Sequence, residues 1–159
     1  MSWLQQAVRK TMRNRALPGV LIVAGFLAVM APVASGQVVF NEVRYKDSAG
    51  TTTNQIVELK NIGASAENVG GWIFCHLFNY NSVLPGGTTI PAGGYLLVHF
   101  NQSGTNSSTD IFFPDDALST TTDLALYING NFGTPSSMKA FIQFGDHAGN
   151  GRESVAVAA

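Results

Sequence analysis

Apolar and polar residues alternate in short runs along most of the chain after residue 37. Val57 and Leu59 alternate with Glu58 and Lys60, and this period of two predicts a half-buried β-strand. Similar runs recur at intervals of roughly 8–15 residues, separated by turn-forming residues. The predicted strands cover residues 38–45, 55–61, 72–78, 95–100, 111–113, 123–129, 138–144 and 154–158. The pattern indicates no helix in this part of the chain.

Turn signals between the runs support the same interpretation. Pro91-Ala92-Gly93-Gly94 stands directly before the run at 95–100, and Asn129-Gly130 is the dipeptide most typical of a β-hairpin turn. No internal repeat interrupts the series. Many short strands at this spacing predict one all-β domain built as an antiparallel β-sandwich. Trp72 is the expected anchor of its core, because one Trp side chain buries about 200 Å².

The first 36 residues follow a different pattern. Four basic residues and no acidic ones lie among the first fifteen, an apolar run covers 16–33, and the small residues Ala34 and Gly36 follow. This order predicts a helical signal peptide, residues 1–36, that is cleaved after Gly36. A retained membrane anchor through 16–33 is the alternative, since about 18 residues are just enough to span a bilayer. We therefore expect the domain, residues 37–159, to be secreted or to lie in the periplasm or cell envelope.

The charges are divided in the same way. Residues 37–159 hold all ten acidic residues but only five of the nine basic ones, which gives this part a formal charge of −5. Nucleic-acid binding needs clustered Lys or Arg, so we expect no nucleic-acid partner. A protein or a cell-surface polymer is the expected partner, and a membrane only if the leader is retained. Cys75 is the single cysteine, so no intrachain disulfide can form and the core must stabilise the domain.

Five segments of the body, in this order, resemble the lamin-tail domain family. They are residues 38–43 (VVFNEV), 55–61 (QIVELKN), 70–72 (GGW), 90–96 (IPAGGYL) and 123–127 (DLALY). The resemblance covers about residues 38–158 and implies an immunoglobulin-like β-sandwich. The chain resembles the exported prokaryotic members, in which this domain often accompanies hydrolase, nuclease or surface-anchoring modules. The family has no agreed catalytic residues, so the resemblance implies no active site. Some relatives continue further, which implies a short or uncapped closing strand here.

The histidines and the cysteine show no spacing typical of a catalytic or metal site. His76, His99 and His147 do not follow a ligand pattern such as His-x-His, and we expect them to be packed or solvated. Cys75 precedes His76 directly, but adjacent residues of a strand point to opposite faces. An inert buried thiol is therefore expected. The sequence predicts no catalytic residue, no cofactor and no metal ligand.

The acidic residues allow two further interpretations. Asp115 and Asp116 follow Pro114 in a predicted loop with Asp110 and Asp123 on either side, so their oxygens could converge on Ca²⁺. Their spacing matches no calcium-binding loop, and a solvated acidic loop is the expected structure.

Two glutamates lie inside predicted strands and suggest general acid–base chemistry. Glu42 and Glu58 could form a catalytic pair. Strands of a sandwich place polar residues outward, however, so we expect both at the surface or paired with Lys60 or Arg44.

Two classes of function remain. The first is a non-catalytic binding or scaffolding module outside the cytoplasm, with contacts through the polar loop 101–109 and the aromatic segment 78–80. The loop contains two matches to the N-glycosylation pattern, which indicates only that it is polar and exposed. The alternative is a surface or extracellular hydrolase, or an accessory domain to one. A pocket in which two or more titratable groups converge would favour the enzyme.

Overall fold

The computed structural model describes residues 37–46, 49–145 and 151–159. The expected signal helix, the cleavage position after Gly36 and His147 lie outside these residues. Within the described ranges, no helix is both long enough and apolar enough to cross a membrane.

The described residues form short strands and one terminal helix. In chain order the elements are β1 (Val38–Arg44), β2 (Gln55–Asn61), β3 (Glu67–Asn68), β4 (Ile73–Cys75), β5 (Thr89–Ile90), β6 (Tyr95–Phe100), β7 (Asp110–Phe113), β8 (Thr122–Tyr127), a 3-10 turn (Pro135–Ser137), β9 (Met138–Phe144) and α1 (Glu153–Val157).

The larger sheet has four strands in the order β1-β2-β6-β7. The first three strands are antiparallel neighbours, with Val57 opposite Val98 and Leu59 opposite Leu96. The predicted antiparallel arrangement is wrong for the last pair, because β6 and β7 run parallel. A β-bulge between Phe40 and Glu42 interrupts the pairing of β1 with β2.

The opposing sheet has three antiparallel strands in the order β4-β8-β9, and β3 pairs with β5 in a separate ribbon. The two larger sheets enclose the main core, in which apolar side chains of β2 and β6 meet those of β4 and β8. Phe74 lies near its centre and meets Phe100 edge to face, with ring centroids 5.4 Å apart. Trp72 is buried in this core, as expected. The fold is the predicted immunoglobulin-like β-sandwich.

Strand β8 is buried on both faces. Leu124 and Leu126 point into the main core, whereas Ala125 and Tyr127 form a second apolar cluster with Cys75. Residues of α1 pack against this second cluster and cover it. Helix α1 therefore buries apolar area on this outer face of β8.

Two predicted strands are corrected by this structure, and one predicted turn is longer than expected. The predicted strand at 154–158 is the helix α1, since a short apolar run fits either structure. The predicted strand at 72–78 ends at Cys75. The hairpin of β8 and β9 is confirmed, but its connection extends beyond Asn129-Gly130 to the 3-10 turn.

Candidate functional site

A tight two-residue turn follows β4. The His76 N–H donates to the Asn79 carbonyl at 3.2 Å, and the Asn79 N–H donates back to the His76 carbonyl at 2.9 Å. Between them, Leu77 and Phe78 have φ angles of +47° and +64°. Two central residues with positive φ are the pattern of a type I′ turn, which favours Asn-Gly. We call residues 76–82 the tip loop.

The tip loop displays apolar side chains to solvent. Leu77 is 42% exposed and Phe78 is 51% exposed. A residue with a Cβ in the left-handed region costs about 1–3 kcal/mol, and such residues cluster at functional sites. The tip loop therefore combines backbone strain with apolar exposure, neither of which stabilises the isolated domain. The aromatic segment 78–80 that the sequence suggested is part of this loop, but its neighbour Leu77 was missed.

The buried carboxylate of Asp116 holds the tip loop in place through hydrogen bonds. Its Oδ1 accepts hydrogen bonds from His76 Nε2 at 2.9 Å and from Asn79 Nδ2 at 2.8 Å, and its Oδ2 accepts one from the Ser82 hydroxyl. Burial of Asp116 acts to raise its pKa, but the bonds from His76 and Ser82 outweigh that effect and the pKa is lowered. The expectation of a solvated acidic loop is wrong for Asp116, which is buried, whereas Asp115 is exposed.

Asp123 joins the tip loop to the C-terminal segment. This carboxylate is fully buried in β8. Its Oδ1 accepts the backbone N–H of Leu77 at 3.1 Å, and its Oδ2 accepts the backbone N–H of Arg152 at 2.6 Å. A Cβ at Gly151 would lie 2.0 Å from that Oδ2. Only glycine therefore allows the C-terminal segment to approach Asp123 this closely.

The Arg152 side chain lies against the aromatic part of the tip loop. Its guanidinium carbon is 4.7 Å from the centroid of the Phe78 ring and 5.5 Å from that of the Tyr80 ring. It also donates a hydrogen bond to the Tyr80 hydroxyl. Cys75 lies beside Arg152, and burial of the thiol raises its pKa even though the guanidinium opposes the shift. The thiol is buried, as expected.

A pocket of about 360 Å³ adjoins the tip loop. It is lined by Asn81, Ser82, Phe113, Pro114, Asp115 and Asp116. Two titratable groups therefore converge there, but both oxygens of Asp116 already accept hydrogen bonds from the protein. The Ser82 hydroxyl donates to this carboxylate, which also accepts a hydrogen bond from the His76 ring. The arrangement holds the loop in place.

Within the described ranges, no group of three or more His, Cys, Asp or Glu side chains is placed to hold a metal ion. Calcium requires about six to eight oxygen ligands. Of the two aspartates considered from the sequence, Asp116 directs its oxygens to protein donors, and Asp115 is an exposed residue of the pocket lining.

Glu42 and Glu58 face each other across β1 and β2. Glu58 accepts a hydrogen bond from Asn41 Nδ2 at 2.5 Å. The two basic residues expected beside them have other contacts: Lys60 lies over a tyrosine ring, and Arg44 donates to a backbone carbonyl. Glu42 is exposed, as expected for the surface of a sandwich.

His99 is a packed histidine, as expected. It is 8% exposed, its ring stacks on Phe112 with centroids 4.3 Å apart, and its Nε2 lies 3.0 Å from Asp110 Oδ1. Hydrogen bonds from Thr109 and His99 lower the pKa of Asp110. Most of the loop 101–109 is exposed, which agrees with its polar sequence.

The local sequence does not predict the pairing of Asp123 with Arg152. One signal was available, since Asp123 is the single charged residue of the predicted strand 123–129. Its two hydrogen-bond partners lie 46 and 29 residues away along the chain, and local pattern carries no information about such distances.

The Lamin Tail Domain family model matches residues 31–143 of this chain. The match includes the tip loop, Asp116 and Asp123, and it ends within β9, before Arg152 and α1. No curated protein matches the chain.

Proposed function

Because the chain belongs to the lamin tail domain family, we propose that it is an exported, non-catalytic binding module that contacts its partner through the tip loop. The partner is a protein or a cell-surface polymer. Sandwich domains of this kind present loops between rigid sheets, and the positions of such loops suit recognition. Fold alone does not give function, so the tip loop, and not the sandwich as a whole, is the basis of this proposal.

The observation that carries this proposal is the exposure of Leu77 and Phe78 in a turn that favours Asn-Gly. A turn with its preferred residues would join the same strands without strain and without exposed apolar area. Exposed Leu and Phe side chains on a rigid support are suitable anchors for a complementary pocket, because a few buried apolar groups supply most of the energy of an interface. The adjoining pocket offers hydrogen-bonding groups at its rim.

Export is supported by the order of basic, apolar and small residues in the first 36 positions. The proposed mature chain begins at Gln37 and acts in the cell envelope or outside the cell. N-terminal sequencing of the exported protein tests this, and a chain that still begins near Met1 would instead support the retained anchor.

Contact through the tip loop is tested by cross-linking to a cell-envelope fraction. We compare the wild-type domain with the double variant Leu77→Ser/Phe78→Ser and with the control Ile62→Ser. Ile62 is 53% exposed and follows β2 at the opposite end of the sandwich. A partner that the tip variant loses and the control retains supports the proposal. Equal cross-linking by all three proteins argues against it.

The alternative of a surface hydrolase has one observation in its favour, the convergence of Asp115 and Asp116 in a pocket. Hydrolysis of envelope polysaccharide or protein by the purified domain, abolished in Asp115→Asn, would establish it. Loss of hydrolysis is a separate readout from cross-linking, so the two functions are distinguished.

A further inference from the structure

We propose that the C-terminal segment 151–157 is a clamp that holds the tip loop in its strained form and opens without unfolding of the sandwich. The inference deepens the proposed function, because it concerns the control of the same loop. The clamp itself is a property of the isolated domain and does not depend on any partner.

The clamp and the tip loop share one buried carboxylate. Asp123 accepts the Leu77 N–H through one oxygen and the Arg152 N–H through the other. The Arg152 guanidinium then covers the Phe78 ring and donates to the Tyr80 hydroxyl. Movement of Arg152 therefore removes support from the turn at two points. The Phe78 ring loses the guanidinium that covers it, and the Asp123 carboxylate loses the backbone N–H of Arg152.

The clamp is weakly held compared with the sheets. Helix α1 has five residues, none of them buried, and Val157 is 89% exposed. Helices this short are marginal without tertiary support. Among the described residues, no hydrogen-bond partner lies near the buried Tyr127 hydroxyl or the buried Nε of Arg152 in the clamp, and an unsatisfied buried polar group favours any state that hydrates it. Segments with few buried contacts open locally before the whole domain unfolds.

The cysteine reports on this opening. Cys75 is fully buried, and Val155 and Ala156 of the clamp pack against its cluster. A thiol reacts as the thiolate and only when reagent reaches it. Modification of Cys75 by the disulfide reagent DTNB therefore measures how often the clamp opens, and exchange of the Leu77 amide measures whether the turn relaxes at the same time.

The test compares the wild-type domain, Arg152→Ala and the control Arg44→Ala in both measurements. The control removes the same charge from an exposed arginine on β1, whose side chain donates to the backbone carbonyl of Asn54. We expect Arg152→Ala to accelerate both Cys75 modification and Leu77 exchange by about tenfold or more, because the guanidinium loses its contact with the Phe78 ring and its charged hydrogen bond to the Tyr80 hydroxyl. Arg44→Ala is expected to leave both rates close to wild type.

Three outcomes would overturn the proposal. In the first, wild-type Cys75 reacts only at the rate of global unfolding, with the full dependence on denaturant. In the second, Arg152→Ala matches Arg44→Ala. In the third, Cys75 reacts faster while Leu77 exchange is unchanged, so that the segment covers the thiol without holding the turn. If Arg152→Ala does not fold, Val155→Ser replaces it. Neither Cys75 modification nor Leu77 exchange involves a partner. A result that overturns the clamp proposal therefore does not affect the interpretation of the cross-linking experiment.

Discussion

His76 Nε2 and Asp116 Oδ1 lie 2.9 Å apart in a site from which solvent is almost excluded. The two residues are 40 positions apart in the chain, so their contact closes the end of the sandwich beneath the tip loop. Ser82 and Asn79 donate to the same carboxylate. Asp116 therefore joins both ends of the tip loop to the segment that follows β7.

The first prediction concerns stability at low pH. The pKa of Asp116 lies below its ordinary value of 3.8 in the folded chain, so the ionised carboxylate stabilises the fold above that value. The contribution is lost as pH falls through 3.8 and then through the lowered pKa of the folded state. We expect Asp116→Asn to lower the free energy of unfolding by about 2 kcal/mol at pH 6, and by progressively less below pH 4.

Urea unfolding between pH 6 and pH 2 measures this difference. The control is Asp115→Asn, which changes the exposed neighbour and should unfold like the wild type throughout. A difference between Asp116→Asn and wild type that stays constant down to pH 2 would contradict the assignment.

The second prediction concerns the strained turn. Replacing Leu77 and Phe78 with Asn and Gly gives the turn its preferred residues and removes two exposed apolar side chains. The variant loses the contact of Phe78 with Arg152, which is worth about 0.5–1 kcal/mol. It gains about 1–3 kcal/mol for each strained position that is relieved. We expect a net gain of about 1 kcal/mol or more in the free energy of unfolding, together with loss of envelope cross-linking. A lower thermal midpoint would show that the turn is not strained.

The third prediction concerns the close approach at Asp123. Gly151→Ala places a Cβ 2.0 Å from Asp123 Oδ2, so the segment must shift and the bond to Arg152 must lengthen. We expect a loss of about 1–3 kcal/mol in the free energy of unfolding. Gly130→Ala is the matched control, because a Cβ there meets nothing within 4 Å. Equal stability of the two variants would mean that the chain around Gly151 adapts at no cost.

The fourth prediction concerns Asn61, which is fully buried at the end of β2. Its side-chain oxygen accepts the N–H groups of Gln37 and Gly63, and its amide donates to the carbonyls of Ser65 and Ile90. Asn61→Leu keeps the number and branching of the side-chain heavy atoms but removes all four of these hydrogen bonds. We expect a loss of about 3 kcal/mol or more in the free energy of unfolding.

Denaturant unfolding measures the effect of Asn61→Leu, with Asn54→Leu as its control at an exposed position. The two substitutions are the same, so a smaller loss at the buried site than at the exposed one would refute the role assigned to Asn61.

The bounds of β2, β6 and β9 agree with the predicted 55–61, 95–100 and 138–144. In β2, alternation of apolar and polar residues fixes the strand without knowledge of its neighbours, and the turn at 91–94 marks the start of β6. The Lamin Tail Domain match agrees with the family resemblance of the same segments.

The candidate site was predicted less well, for a physical reason. Leu77 and Phe78 continue the apolar run of β4, and nothing in their chemistry signals a turn that prefers Asn-Gly. Asp116 has the sequence environment of a solvated loop residue, yet its partners His76 and Ser82 come from a distant part of the chain. The turn and the Asp116 carboxylate that holds it depend on tertiary contacts. The alternation of apolar and polar residues along the chain does not indicate such contacts.

The bulge in β1 has a consequence for self-association. β1 forms one edge of the four-stranded sheet, and a long regular edge strand is a template on which a second copy can add its own strand. The interruption between Phe40 and Glu42 breaks the regular spacing of donors and acceptors along that edge. The exposed charges of Glu42 and Arg44 add a desolvation cost to any approach. This edge is thereby protected against fibril-like stacking at high protein concentration.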